Sequence, residues 1–414
     1  MTETQKEEIH MAEQQTRVYF GENPSQLYIN ALFDLLQHGK EVGPRGKKTL
    51  ELRPAIFEFH NPINRVTMLQ GRQVNPFFQL AESLWICAGQ SDVHTLTRYN
   101  ENMATFSDDG ETFNAPYGER LRHWGKNDYR GTVHNPIDQL RDVYLKLKKD
   151  PDSRQAVAFI GNPHFDNRFY THNGGKDIAC NINIKFKIRD GKLDINVDNR
   201  SNDLHWGTFG ANLCQFSTIQ ELVASWLGIP VGKYFQSTDS LHIYTEEYGA
   251  KETEKVLQAY GYTLEAMMYV REGNGKTPAP KVKEFHFEDE PRMSIGYDEF
   301  EGFLDTLFGS GNLLNDFIHN DERIKNEWGA LLVYASSCPD DYFRFTLQAM
   351  ITYRCHKLGV TDGVIQGFKN MKDSSWKVSC LRMLYPKYKD NEDYTLLYDH
   401  LEEDIKNYIE RKEG

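Results

Sequence analysis

Apolar residues recur at helical spacing over residues 25–39, where Leu27, Leu32, Leu35 and Leu36 share one face and Gly39 supplies a stop. A basic loop, VGPRGKKTLELRP, follows and leads into extended segments to about Met68. A second helix is predicted over 75–88, with Asn75 as its cap and Pro76 at the first helical position. The sharpest pattern lies between Cys180 and Arg200. Ile182, Ile184, Phe186 and Ile188 alternate with polar residues, Asp190-Gly191 interrupts, and Leu193, Ile195 and Val197 resume the alternation, as in a hairpin. Cys180 has the parity of the apolar set, which aims its sulfur at the interior or at a cavity within it. Residues 210–227 read as a mostly buried helix ending before Gly228, and 234–235 and 241–245 as strands. Residues 1–18 are charged and aperiodic, so they are expected to form a mobile tail. After Gly296 the chain turns to aromatic and charged helical segments such as YDEFEGFLDTLF, which sets a boundary between residues 19–296 and a helical extension, 297–414.

Composition narrows the class. The 414 residues carry a formal charge of −12, which disfavours non-specific nucleic-acid binding, since phosphate contacts need clustered Lys and Arg. An anionic ligand therefore requires a local basic pocket. No apolar run approaches the roughly 20 residues that span a bilayer, and the polar, acidic start of the chain is unlike a signal peptide, so the protein reads as cytosolic. The six cysteines show neither CxxC nor Cys/His spacing, which argues against disulfides and structural zinc.

Cys180 taken alone reads as a small buried hydrophobe. Its surroundings suggest more: NRSNDLHWGTFGAN follows the hairpin and gathers Arg200, Ser201, Asn202, Asp203 and Asn212 near one end of a mostly apolar sheet. That set suits a phosphorylated base as well as it suits a polar loop capping a helix. The stretch Asn199-Arg200-Ser201-Asn202-Asp203, with Gly207, Asn212 and the upstream Cys180, resembles the nucleotide-binding signature of the thymidylate synthase superfamily, which includes the pyrimidine hydroxymethylases of phages. Glu82-Ser83-Leu84-Trp85, Tyr117-Gly118 with Arg122, Asp150-Pro151-Asp152-Ser153-Arg154 and His242-Ile243-Tyr244 resemble further motifs of that family, in the family's order.

The resemblance implies an α/β fold, a large twisted mixed sheet with flanking helices whose face forms a homodimer interface. It implies that the Cys180 thiolate adds to C6 of the pyrimidine and turns C5 into a nucleophile toward methylenetetrahydrofolate. By the same carry-over Arg45, Arg200 and Ser201 hold the phosphate, Arg154 reaches into the partner's phosphate site, and His242 and Tyr244 bond the ribose. Glu82 organises water and relays protons, Tyr117 assists removal of the C5 proton, Asp203 bonds the pterin, and Arg72 meets the folate's glutamate tail. Arg200 is also expected to lower the Cys180 pKa. Read singly, Glu82, Arg45 and Arg72 are ordinary surface charges and His242 a core histidine; their ordered co-occurrence gives them weight.

Departures from the family pattern refine the expectation. Asn212 offers a donor and an acceptor to a uracil edge, given a one-residue insertion in GTFGAN, whereas cytosine would prefer a carboxylate. Asn181 stands where the synthases place His, and Gln155 where a second phosphate arginine is usual. Phe106 replaces the shielding tryptophan, and residues 297–414 replace a short closing tail, leaving room for water. Together these imply hydroxymethylation of dUMP with methylenetetrahydrofolate and water and without a metal; thymidylate formation is the runner-up, then hydroxymethylation of dCMP. An interaction protein with secondary catalysis is the rival from another class.

Overall fold

The computed structural model describes residues 16–125, 135–169, 172, 174–273, 275–309 and 313–411. Ten strands among them form two sheets: β1 (Arg17–Gly21), β2 (Lys40–Val42), β3 (Thr49–Leu52), β4 (Ala55–Phe59), β5 (Val157–Phe159), β6 (Asn181–Arg189), β7 (Lys192–Asn199), β8 (Asn202–Asp203), β9 (Val231–Thr238) and β10 (Leu241–Tyr244). The larger sheet has the order β1-β4-β9-β7-β6-β5 and is mixed, with β1/β4 and β7/β9 parallel and the other pairs antiparallel. Its β6/β7 hairpin turns at Asp190 and Gly191, both with positive φ, as the Asp-Gly pair predicts. The smaller sheet, β2-β3-β10-β8, was not foreseen as a separate layer. Most of the expected tail lies outside the described residues, but Arg17 and Val18 belong to β1, where pairing with Ala55 and Ile56 offsets the ordering cost that aperiodic sequence alone would leave unmet.

Helix Pro24–His38 begins at an Asn23 cap, and helix Pro76–Cys87 at Asn75, whose side chain accepts from the Phe78 N–H at 2.9 Å. Every residue of Pro76–Cys87 is buried, as is nearly all of helix Leu213–Leu227, so neither behaves as a surface helix with one wet face. The extension explains this. Its helix Asp341–Leu358 packs on Pro76–Cys87, with Phe77 and Tyr353 stacked at 4.9 Å. Tyr342 meets the Thr218 hydroxyl at 3.1 Å, and Trp226 packs against Tyr297 and Phe300. One continuous apolar core runs through both segments. Beneath the junction the buried Arg65 and Glu221 pair, and Glu221 also accepts from Arg292 at 3.0 Å; breaking such a pair typically costs about 3–5 kcal/mol. Among the described residues no helix is long and apolar enough to cross a membrane.

Candidate active site

The β6/β7 ladder sets Asn181 opposite Asn199, which brings Cys180 and Arg200 together at the open end of the hairpin. A register shift between Asn181 and Asn183 resets the alternation there. Asn181 takes the inward position and binds the Asn199 side chain at 2.7 Å, while Cys180 lies half-buried just before the strand. Cys180 thus lies just outside the ladder, with its thiol still desolvated. Arg200 is fixed over it by hydrogen bonds from Nε to the Ala179 carbonyl (2.8 Å) and from Nη2 to the Ile178 carbonyl (3.1 Å), with Nη2 also 3.6 Å from the Cys180 sulfur. On the other side the Cys180 N–H donates to the Tyr117 hydroxyl at 3.4 Å.

Burial nevertheless pushes the Cys180 thiol above its ordinary pKa; the Arg200 and Arg45 charges oppose this, and the Asp177 and Asp203 carboxylates reinforce it. Arg200 therefore lowers the Cys180 pKa as expected, but desolvation is the larger effect and the net shift is upward. Burial also raises the Tyr117 hydroxyl, so it remains a neutral donor and acceptor.

The smaller sheet supplies the second wall. β8 pairs with β10 so that Asp203 lies opposite His242, and the alternation of β10 turns His242 and Tyr244 away from the buried Leu241 and Ile243. Arg45 sits in a tight turn with φ 56°, and its charge acts on Tyr244, His242 and Cys180. Ser201 lies between Arg200 and β8, half-buried. Burial lifts Asp203 to about 7; its Oδ1 accepts from the His205 N–H at 2.8 Å and its Oδ2 from the Tyr248 hydroxyl.

GTFGAN lies in a π-helical turn, Leu204–Asn212, that carries Asn212 to the start of the buried helix. The Asn212 side-chain Oδ1 accepts from Asn202 Nδ2 at 3.0 Å, and its Nδ2 donates to Gln215 Oε1 at 3.1 Å. Gln215 also bonds Glu82, whose pKa burial raises to about 7 and whose Oε2 has no partner. An amide relay thus runs from Asn202 through Asn212 and Gln215 to a carboxyl poised to exchange a proton near neutrality. Neither Gln215 nor Tyr248 was picked out from the sequence. Gln215 had a usable signal, its three-residue offset from Asn212 on one helix; Tyr248 had none.

Three further expected residues lie around this cluster, of which Arg154 was expected in the partner's site and Arg72 acts on Asp203 from the side. Arg154 is exposed in the turn before β5, at the sheet's edge. Phe106 is 42% exposed on a short 3-10 turn. Arg72, expected to meet the folate's glutamate tail, is 5% exposed, donates to the His205 carbonyl at 2.7 Å and lies over the Tyr28 ring. Its neighbourhood is core because the extension covers it.

The family model described as thymidylate synthase matches residues 26–289. The chain is similar to the deoxyuridylate hydroxymethyltransferase of Bacillus phage SP01, 47% identical over 400 residues, covering 95% of this chain and 99% of the phage protein. A protein of the same description from Pseudomonas phage M6 is 36% identical over 226 residues, 54% of this chain and 60% of its own. A putative thymidylate synthase of Methanosarcina barkeri is 32% identical over 142 residues, 34% of this chain and 58% of its own. With a family model matching residues 26–289 and a relative 47% identical over 95% of this chain, the chain belongs to the thymidylate synthase family.

Proposed function

We infer that the chain is a deoxyuridylate hydroxymethylase, converting dUMP, methylenetetrahydrofolate and water into 5-hydroxymethyl-dUMP and tetrahydrofolate. The observation that carries this reading is the Cys180–Arg200 pair, in a chain that also holds the bonded Asn212–Gln215–Glu82 relay. Arg200, Ser201 and Arg45 take the nucleotide's phosphate, and His242 and Tyr244 its ribose. Cys180 adds to C6, and Asn212 and Gln215 connect the O4 edge to Glu82, which takes and returns the displaced proton. Methylenetetrahydrofolate, when bound, supplies the one-carbon unit; Asp203, protonatable near neutrality, fits the donor-rich edge of a pterin. Tyr117, against the Cys180 backbone, assists loss of the C5 proton. With the C5 proton lost and the carbon–nitrogen bond to tetrahydrofolate broken, water attacks the methylene left on C5, and Cys180 departs from C6. Phe106 and the extension leave that carbon open to water, which favours the hydroxymethyl product over the hydride transfer that gives thymidylate. In turnover with dUMP, tetrahydrofolate is expected to accumulate without dihydrofolate; stoichiometric dihydrofolate would assign a synthase instead.

Uracil recognition rests on Asn212. Asn212→Asp keeps the acceptor for Asn202 but presents a carboxylate to the base, and is expected to move the kcat/KM ratio of dUMP to dCMP toward dCMP by about 10²-fold, the scale of a bonding partner left unmatched. An unchanged ratio would remove Asn212 from base selection.

The assembly that fits this reading is a homodimer through the open face of the larger sheet, where Val18, Phe20 and Phe159 are 51%, 66% and 52% exposed. Arg154 then crosses to the partner's phosphate site. Mixing inactive Cys180→Ser chains with inactive Arg154→Ala chains is expected to restore about a quarter of native activity, because one of the two sites in each mixed dimer is whole. No recovery on mixing would place Arg154 outside the partner's site.

A further inference from the structure

Residues 176–180, which lead into the nucleophile, are tied twice to the segment that carries Tyr117. The Cys180 N–H donates to the Tyr117 hydroxyl at 3.4 Å, and the Ala115 N–H donates to Asp177 Oδ2 at 3.0 Å. They are also tied to the stretch that follows Phe106: the Lys176 N–H donates to Asp108 at 3.3 Å, and Lys176 Nζ to the Ser107 carbonyl at 2.8 Å. Asp177 therefore stands where the nucleophile, Tyr117 and the Phe106 loop converge. It is half-buried, and among the described residues its Oδ1 makes no hydrogen bond and its carboxylate no ion pair. Arg120, whose charge acts on it, is bonded through two nitrogens to Asp166, each at 2.7 Å. The Asp177 charge reaches both the Cys180 sulfur and the Tyr117 hydroxyl. The other two carboxyls of the site are engaged. Asp203 accepts from the His205 N–H and the Tyr248 hydroxyl, and Glu82 is committed through Gln215 to the O4 edge of the base.

We propose that Asp177 is the general base that activates the water completing the one-carbon transfer, an inference that rests on the hydroxymethylase reading. Its unbonded Oδ1 takes one proton of the water as the water oxygen forms its bond to the C5 methylene. The methylene π electrons move onto O4 as an enolate. Collapse of that enolate forms the C5–C6 double bond and breaks the bond from C6 to the Cys180 sulfur, which leaves as thiolate; Asp177 then passes its proton to solvent. Desolvation raises the Asp177 pKa against the Ala115 N–H and the Arg120 charge, and the Asp166 and Asp108 charges add to the rise, which strengthens the carboxylate as a base.

Asp177→Asn keeps the shape of the side chain and an acceptor for the Ala115 N–H but cannot take the proton. The full-length variant is expected to capture 5-fluoro-dUMP with methylenetetrahydrofolate, and to release C5 tritium from dUMP in a single turnover, at near the parent rates. Formation of 5-hydroxymethyl-dUMP is expected to fall about 10²-fold, the scale of general-base catalysis. Added 2-mercaptoethanol, which attacks the methylene as a thiolate and needs no base, is expected to divert the variant to the thioether. Hydroxymethyl product formed at like rates by parent and variant overturns the role of Asp177 and leaves the hydroxymethylase reading standing, whereas a methyl product from the parent overturns both. Equal loss of capture and of product in the variant, the mark of a purely structural residue, also overturns it. Should Asp177→Asn fail to fold, Asp177→Ala carries the test: formate is expected to restore product formation, and no restoration overturns the proposal.

Discussion

Cys180→Ser is expected to lower turnover of dUMP by on the order of 10⁴-fold or more, the scale on which removal of a nucleophile is felt. It is also expected to abolish covalent capture of 5-fluoro-dUMP in the presence of methylenetetrahydrofolate. A serine hydroxyl fills nearly the same half-buried space beside Arg200 and Tyr117, so fold and nucleotide affinity should persist. The hydroxyl loses its proton far less readily than the thiol, and burial that already opposes the thiolate opposes an alkoxide more. Denaturing gel shift and rapid-quench kinetics check this; a trapped adduct in the serine variant would remove Cys180 from the chemistry.

Glu82→Gln should reduce kcat by about 10²–10³-fold with KM for dUMP changed only a few-fold, since a relay carboxyl acts on the proton and not on the phosphate grip. The variant carries a second, structural readout. Glu82 has a folded pKa of about 7, above its unfolded value near 4.3, so the folded state holds the proton more tightly. Its contribution to stability is complete below the unfolded pKa and is lost as pH rises through about 7. The melting temperature of the native protein is expected to fall from about pH 5 to 8, and Glu82→Gln, which cannot ionise, should fall less. Asp203, raised for the same reason, supplies the remaining slope. Equal slopes in both proteins, with kcat unchanged, would return Glu82 to the role of a solvated helix charge.

The helices with clear caps and the Asp-Gly hairpin were legible because their signals are local: Asn23 and Asn75 bond the first-turn amides beside them, and Asp190-Gly191 takes the left-handed geometry its type favours. What lay beyond reading depended on tertiary contacts. The register shift at Asn181–Asn183 interrupts the alternation next to Cys180, which no local pattern announces. The smaller sheet joins β2, β3, β8 and β10 from three distant stretches, and no periodicity within two-residue β8 could announce it. Arg72 looked like a surface arginine because the residues that cover it, Arg382 and Tyr408, lie some three hundred positions later. The net rise of the Cys180 pKa likewise follows from burial, a quantity absent from any motif.

The central claim is that water, and not hydride, completes the one-carbon transfer begun by Cys180. Turnover of dUMP and methylenetetrahydrofolate in water enriched with heavy oxygen, followed by mass spectrometry of the nucleotide, tests it directly. The expected product is 5-hydroxymethyl-dUMP carrying one heavy oxygen, with tetrahydrofolate released; an unlabelled methyl product accompanied by dihydrofolate would contradict it.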